Sequence, residues 1–395
     1  MVKILLFSSL YPHAAEPTLG IFVENRLRRL LADQPVEARV VAPVPWFPFT
    51  APVFGRYARA ACAPVREDRD GIQVMHPRFP VIPKLGMSLT PLGLARVGLT
   101  AARSIRARGF DFDLIDAHYL YPDGVAAARM GDALGRPVVM TARGSDVTEI
   151  GRQLRARRVI LEALERAAHV NAVSNSLRDE LIEIGVPATK ITTVRNGVDL
   201  ERYRQVHREV VRERLGLSGP VMMFAGWLIP RKRVDLVLGV TGHLENCTTL
   251  LLGDGPLRGA LERQARELGI SHRVRFLGQK RPEELVEYYN AADAFLLLSD
   301  REGWANVLLE SMACGTPVVS RAVGGAPDLI TRRVAGRLVD STDVEVIASA
   351  VRDLLSSAPS REAVRAFAAD FDWSGVSAQQ MEIFRNALSA RGSIA

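Results

Sequence analysis

Along the chain, short uninterrupted apolar runs alternate with longer stretches whose apolar residues recur every three to four positions. Residues 2–7, 38–42, 72–76, 114–117, 138–141, 169–173 and 191–194 are runs of aliphatic and β-branched side chains, the pattern of strands covered on both faces. Between them, 21–31 and 123–134 carry helical spacing. Strand and helix alternating in this way predict parallel sheets overlaid by helices. The pattern pauses in a polar stretch, 196–219, where a domain boundary is expected. It restarts with strands at 221–225, 248–252, 274–277, 294–298 and 317–320, each followed by a helix-like stretch. The prediction is an α/β protein with two doubly wound, Rossmann-like domains in tandem, 1–200 and 201–374, facing each other across a cleft. A terminal helix within 375–395 is expected to join the first domain. Ligands of such sheets bind beyond the carboxyl ends of the strands, so the loops there should carry the chemistry.

Composition narrows the partners. A chain of 395 residues with 48% hydrophobic and 24% charged residues builds two ordinary cores and is not disordered. Cys62, Cys247 and Cys314 lie far apart, which points to neither a zinc site nor a disulfide framework. The net charge of +7 is carried by 46 arginines and five lysines, and arginine standing in for surface lysine explains it as well as an anionic ligand does. No nucleic acid is predicted. Residues 1–7 read as a buried strand and not as a signal peptide, and no apolar run approaches the roughly 18 residues of a membrane span. A cytoplasmic protein is expected, one able to touch the inner face of the membrane. The stretch 46–91 breaks the pattern with prolines and aromatics. After it, 84–108 holds Lys84, Arg96, Arg103, Arg106 and Arg108 with no acid. Interleaved with Met87, Leu89, Leu92, Leu94, Val97 and Leu99, these suit contact with an anionic membrane, and equally a helix packed on the first sheet.

The densest chemistry lies in 299–325, SDREGWANVLLESMACGTPVVSRAVGG. Gly303 interrupts regular structure after an apolar strand and 306–314 has helical periodicity, so Glu302 falls in the turn and Glu310 about one turn into the helix. Free N–H groups and the positive dipole end at such a start suit a pyrophosphate. Glu310 can accept hydrogen bonds from a ribose diol, and Glu302 from sugar hydroxyls.

Glu302-Gly303-Trp304 with Glu310, running into Ala313-Cys314-Gly315-Thr316-Pro317-Val318-Val319, resembles the E-x7-E motif of glycosyltransferase family 4. The resemblance extends over nearly the whole chain. Ser8 to Pro12 with Gly20 to Val23 is similar to the loop after the first strand, where Gly20 would let the backbone approach donor phosphates. His118, Tyr119 and the Tyr121-Pro122-Asp123-Gly124 run match the loop whose histidine lies near the transferred sugar. Thr141 to Val147 resembles the next loop, where Arg143 stands in place of a frequent histidine; Tyr119, Arg143 and Asp146 are the acceptor-side candidates. Asn196-Gly197-Val198-Asp199 matches the segment that enters the second domain. Phe224 to Lys232 matches a family segment with an arginine and a lysine for the leaving diphosphate. Lys232 fits the lysine, whereas Trp227 occupies the arginine position, so that either Arg231 or Arg233 supplies the charge or Trp227 stacks on the sugar. Gly253-Asp254-Gly255-Pro256 is similar to the family's GDGP turn, and Gly278 with Gln279 would read the base.

The resemblance implies the GT-B fold and a retaining, metal-independent transfer from a nucleoside-diphosphate sugar, UDP- or GDP-linked, to a glycan or lipid-linked acceptor of envelope polysaccharide synthesis. Attack would come from the face the diphosphate leaves. The donor site would comprise Gly20, Trp227, Arg231, Lys232, Gly278, Gln279, Glu302, Gly303, Trp304, Ala305, Asn306, Val307 and Glu310, with His118, Glu302 and Lys232 central to catalysis. No cofactor is implied, and the DxD triplets at 68–70, 111–113 and 370–372 read as capping or surface pairs. An epimerase or phosphorylase of the same fold, or a non-catalytic binding subunit, are the alternatives, separable by whether sugar reaches an added acceptor.

Overall fold

The computed structural model describes residues 1–80 and 89–392. They form two compact units: unit 1, Met1–Arg195 with the segment that returns from Ser374, and unit 2, Asn196–Trp373.

Unit 1 runs β1 (Val2–Phe7), α1 (Ile21–Asp33), β2 (Val36–Val41), β3 (Val44–Trp46), α2 (Arg56–Ala61), β4 (Arg66–Arg69), β5 (Ile72–Met75), β6 (Arg78–Pro80), α3 (Thr90–Ala107), β7 (Leu114–His118), α4 (Val125–Leu134), β8 (Val138–Ala142), α5 (Leu154–Arg166), β9 (His169–Ala172), α6 (Asn175–Glu183) and β10 (Ile191–Thr193). Its main sheet has the order β10-β9-β8-β7-β1-β2-β5-β4. β7 and β8 are buried along their whole length, which is why they read as apolar runs without alternation. β4 is the exception to the parallel arrangement, pairing antiparallel with β5 at the sheet's edge. Its sequence, REDR, has no apolar residue and gave no strand signal; charge of this kind is what keeps an edge from pairing with another chain. β3 and β6 form a separate two-stranded ribbon.

Unit 2 runs α7 (Arg208–Arg214), β11 (Val221–Ala225), α8 (Val234–His243), β12 (Thr248–Leu252), α9 (Arg258–Glu267), β13 (Val274–Gly278), α10 (Pro282–Ala291), β14 (Ala294–Leu297), α11 (Asn306–Ala313), β15 (Val318–Arg321), α12 (Ala326–Leu329), β16 (Gly336–Val339), α13 (Val344–Ser356) and α14 (Arg361–Ala369), and ends as α15 (Trp373–Gly392) begins. The sheet order is β13-β12-β11-β14-β15-β16, all parallel, the Rossmann order, whose topological switch lies between β11 and β14. α7 lies in the polar stretch where the domain boundary is expected; only Val211 of its seven residues is buried, too little for a periodic signal.

α15 carries the chain back to unit 1, where Met381, Ile383, Phe384 and Ala387 join Ile4, Leu6, Leu27, Leu30 and Val40 in one core. The two strands of chain that link the units lie side by side at unit 2's edge. Val198 donates its N–H to the Phe371 carbonyl, and a Cβ on Gly197 would stand 2.9 Å from the Trp373 backbone.

Of the stretch 84–108, residues 84–88 lie outside the described residues, and α3 accounts for the rest. Leu94 is fully buried against the sheet, and Arg96 and Arg103 are exposed. The helix is thus a packed one, with Leu89 and Leu92 alone exposing large apolar side chains at its start.

Candidate functional site

In unit 2 the loops after β11 and β14 flank the switch point and are tied together, the Asp300 N–H donating to the Arg231 carbonyl at 2.9 Å. Lys232 ends a single 3-10 turn, and its Nζ donates to Glu302 Oε1 at 2.6 Å. The pair is largely but not fully covered, with side chains 16% and 8% exposed. Both loops rest on backbone. A Cβ on Gly253 would stand 1.8 Å from the Gly226 carbonyl oxygen, and one on Gly324 1.7 Å from that of Glu302. Gly325 N–H also donates to the Gly303 carbonyl at 3.1 Å. The GDGP turn is therefore a support for the loop that carries Trp227 and Lys232, and Gly324 is the support beneath Glu302.

α11 begins at Asn306 after Ala305, with no side-chain cap. Asn196 donates to Asn306 Oδ1 at 3.2 Å, which gives the Asn-Gly-Val-Asp segment a role at this helix start. Trp304 and Ala305 are buried, while Gly303, Asn306 and Val307 are partly accessible. Glu310 receives hydrogen bonds from the Tyr289 hydroxyl, at 2.9 Å, and from that of Tyr203. Burial raises its pKa above the usual carboxylate range despite those bonds. Gly278, with φ +69°, closes β13 and accepts from Gly253 N–H, and Gln279 beyond it is exposed. Of the two candidate arginines, Arg233 is bound by Asp235 at 2.9 Å and by Asp300 at 3.4 Å, whereas among the described residues the Arg231 guanidinium makes a single 3.4 Å hydrogen bond, to the Arg301 carbonyl. Trp227 is 58% exposed.

In unit 1 the strand order reverses at β1, between β2 and β7. Gly20 caps α1 with φ +60°, and a Cβ there would stand 2.2 Å from the Leu10 carbonyl oxygen, so only glycine fits. The loops after β1 and β7 are clamped by Asp123, which accepts from the Ser9 N–H and, at 2.9 Å, from its hydroxyl. Burial pushes the Asp123 carboxyl up to about 7. His118 is buried, and both of its ring nitrogens are engaged. Arg143 Nη2 lies 2.6 Å from Nδ1, and Asp116 Oδ2 lies 3.2 Å from Nε2. A guanidinium can only donate, so Nδ1 is the acceptor and the proton sits on Nε2, directed at Asp116. Burial lowers the His118 pKa to about 4, against the pull of Asp116, which keeps the ring neutral at physiological pH. A neutral imidazole bonded at both nitrogens orients its surroundings and does not shuttle protons.

Behind it lies a network that nothing in the local sequence announced. Arg26, fully buried on α1, donates to Gln380 Oε1 at 2.7 Å, and Gln380 donates to Asp116 Oδ2 at 3.1 Å. The returning α15 thus completes the support of His118. Asp116, two residues before His118 on the same strand, was the one member with a legible position; Arg26 and Gln380 had none. Asp146 is buried and accepts from the backbone N–H groups of Leu120, Arg143 and Gly144, so it shapes the loop that presents Arg143. Tyr119 sits at φ +82°, with its hydroxyl bonded to Ser145. The Tyr11 hydroxyl and His13 Nδ1 are buried without a hydrogen-bond partner among the described residues.

The DxD triplets do ordinary work: Asp68 caps the turn at Gly71, Asp70 pairs with Arg28, Asp111 binds Arg106 and Arg136, and Asp113 accepts from the Lys3 N–H. Among the described residues, no three His, Cys, Asp or Glu side chains converge as a metal site.

Comparison with known proteins identifies the family and the fold. Residues 208–371 match the family model of the glycosyl transferases group 1, and residues 25–202 that of glycosyltransferase family 4. The chain is 30% identical over 363 residues to a D-inositol 3-phosphate glycosyltransferase of Corynebacterium urealyticum, covering 85% of each. It is 28% identical over 337 residues to the putative teichuronic acid biosynthesis glycosyltransferase TuaC of Bacillus subtilis, covering 83% of each. Among solved structures it resembles Anabaena HepE in complex with UDP, with a TM-score of 0.73 and 22% identity over 98% of this chain and 100% of that one, a likeness of GT-B fold.

Proposed function

The chain belongs to glycosyltransferase family 4, and from that premise we propose that it is a retaining, metal-independent hexosyltransferase using a UDP- or GDP-sugar. That it is a glycosyltransferase acting on a nucleotide-sugar follows from the family itself. The observation that carries the finer reading is the Lys232–Glu302 pair at the switch point of the second sheet, beside the uncapped start of α11.

In this reading the diphosphate is met by Lys232, Arg231 and the first turn of α11. Lys232 has three donor hydrogens and can hold Glu302 and a phosphate oxygen together. Glu302 accepts from the sugar's hydroxyls, Glu310 from the ribose, Trp227 stacks on the sugar or base, and Gly278 with Gln279 reads the base. No side chain is assigned as a nucleophile. The acceptor hydroxyl attacks from the side the diphosphate leaves, its proton passing to a phosphate oxygen, and catalysis rests on positioning and fixed charge. His118, held by Arg143 and Asp116, orients the acceptor side together with Tyr119. The acceptor is a glycan or lipid-linked saccharide of envelope or exopolysaccharide synthesis, glycosylated in the cytoplasm at the inner face of the membrane. The relatives named for teichuronic acid and inositol 3-phosphate, both anionic, favour an acidic acceptor.

The test is donor turnover by Lys232→Ala and Glu302→Ala proteins, with and without EDTA. Each substitution should lower kcat/KM by about 10²- to 10³-fold. The double variant should fall little further, because the two groups act as a unit. EDTA should change nothing. Full activity in Glu302→Ala, or abolition by the chelator, would overturn the assignment.

A further inference from the structure

Glu310, the carboxylate proposed to meet the donor's ribose, is held from behind by two phenols. Tyr289, fully buried on α10, donates its hydroxyl to Glu310 Oε2 at 2.9 Å, and Tyr203, in the polar segment that precedes α7, donates a second hydroxyl to the same carboxylate. An ionised carboxylate can only accept, so the direction of both bonds is fixed. The two rings are buried and meet edge to face with centroids 6.2 Å apart, and Tyr289 packs in turn on Phe295 of β14 at 5.6 Å.

The backbone that carries Tyr203 is itself braced. Asp199 caps its turn, accepting from the Glu201 and Arg202 N–H groups. Arg365, on α14, donates to the carbonyls of Leu200 at 2.9 Å and Tyr203 at 2.7 Å, and also to that of Ala313 at the end of α11. One guanidinium thus joins the segment to the helix that carries Glu310. Asn290, buried next to Tyr289, closes the other side: it accepts from the Val206 N–H at 3.1 Å and donates to the Arg204 carbonyl at 3.0 Å.

Burial alone does not call for this arrangement. An apolar side chain at position 310 would need no donors, whereas a carboxylate taken partly out of water requires them. Glu310 keeps partial exposure, and two hydroxyls fill only about half of the roughly four acceptor sites of a carboxylate. The rest remain for further donors, and the two bonds already remove the rotamer freedom that a glutamate would otherwise lose on binding.

We propose that Tyr203 and Tyr289 are positioning residues for the ribose of the donor: they hold the Glu310 carboxylate where it accepts from the vicinal hydroxyls, and so set the preference for a ribonucleotide over one without that diol. Neither touches the reacting atoms. The inference rests on the reading of Glu310 as the ribose acceptor and assigns what keeps it in place.

The experiment is calorimetric titration with UDP, GDP and their 2′,3′-dideoxy analogues, on the intact chain and on Tyr203→Phe, Tyr289→Phe, the double variant and Glu310→Gln, alongside transfer assays on the single tyrosine variants. For the intact chain, the dideoxy form of the better-bound nucleotide should bind about 10²-fold more weakly, the worth of two bonds to a charged group. Glu310→Gln should shrink that ratio to about fivefold. Each tyrosine substitution should shrink it about five- to tenfold, and the pair should come close to Glu310→Gln, because the three groups act as a unit. Affinity for the dideoxy form should stay within about twofold throughout, which reports an intact fold and site. In transfer, donor KM should rise about five- to tenfold with kcat nearly unchanged, as for a contact made equally in the ground and transition states. The single variants decide the question even where the double one does not fold. An intact chain that does not distinguish the two forms, or an undiminished ratio in Glu310→Gln, would overturn the ribose reading and this inference with it. A ratio lost in Glu310→Gln but kept in both tyrosine variants would overturn the positioning role alone. So would a parallel loss of affinity for both nucleotide forms, or a fall in kcat at unchanged KM, either of which would make the hydroxyls part of the packing only.

Discussion

The two switch points are built on opposite plans. In unit 1 the candidate side chain is locked: His118 is bonded at both ring nitrogens, and Asp116, its anchor, is itself held by Gln380 and faces the buried Arg26. In unit 2 the candidate side chains Lys232 and Glu302 hold each other, meeting at 2.6 Å on loops supported from below by glycines. The difference separates two ways of preparing a site. The first fixes geometry before any substrate arrives, at the cost of burying charges that need a complete set of partners. The second holds opposite charges as a neutral, partly accessible pair, and in the function proposed a diphosphate enters it by sharing the lysine.

The largest expected effect strikes the second plan alone. Gly324→Ala places a methyl against the Glu302 carbonyl and must displace Glu302; a displacement near 1 Å costs on the order of 10²-fold in kcat. Transfer assays should show that loss while the His118 ring resonances stay in place. An effect on both would mean that the two sites are less separate than their construction implies.

Arg231→Ala should raise the donor KM about tenfold, the worth of one lost bond to a charged phosphate, whereas Arg233→Ala should leave KM alone and lower the melting temperature. The asymmetry follows from Arg233 being already taken by Asp235 and Asp300. Equal KM effects would sink the distinction.

Gln380→Ala tests the first plan. It removes the link between Arg26 and Asp116, and unfolding titrations should show a loss of about 1–3 kcal/mol. Turnover should fall several-fold through kcat with donor KM unchanged, and Gln380→Glu should not restore it, since it sets a carboxylate beside Asp116. If KM rose instead, the residue would be acting through something other than His118.

The smallest effect is a predicted indifference. The His118 pKa is lowered to about 4 by burial, so its NMR titration should have a midpoint near 4 and transfer rate should show no histidine limb between pH 5.5 and 8. Stability carries the sign instead. Below about 6.5 the unfolded histidine binds a proton that the folded one refuses, so stability falls as pH drops from about 6.5 toward 4. His13, lowered to about 4 for the same reason, adds to the slope. A rate profile with an inflection near 6.5 assigned to His118 would break the locked description.

What the sequence revealed follows the same division. Strands of both sheets were readable because buried parallel strands leave unbroken apolar runs, and the placement of Glu302 in a turn and Glu310 in the helix after it was readable because the segment is short and local. Gly324 lay inside the segment singled out, but its role depends on a carbonyl 22 residues away in sequence. Arg26 and Gln380 are 354 residues apart, and no periodicity records such a pairing. β4 and α7 escaped because their apolar residues are too few to mark a face. Local structure was legible, and the long-range bracing behind it was not.

The return of α15 also sets an order of events. A ribosome releases residues 1–195 first, yet the core around Ile4 and Leu27 lacks Met381 and Phe384, and the guanidinium of Arg26 lacks Gln380, until the final helix emerges. Every residue of the inserted Rossmann sheet has been synthesised by then. The half of the protein that is made first is therefore the half that matures last, and it waits for its other end with an unsealed core.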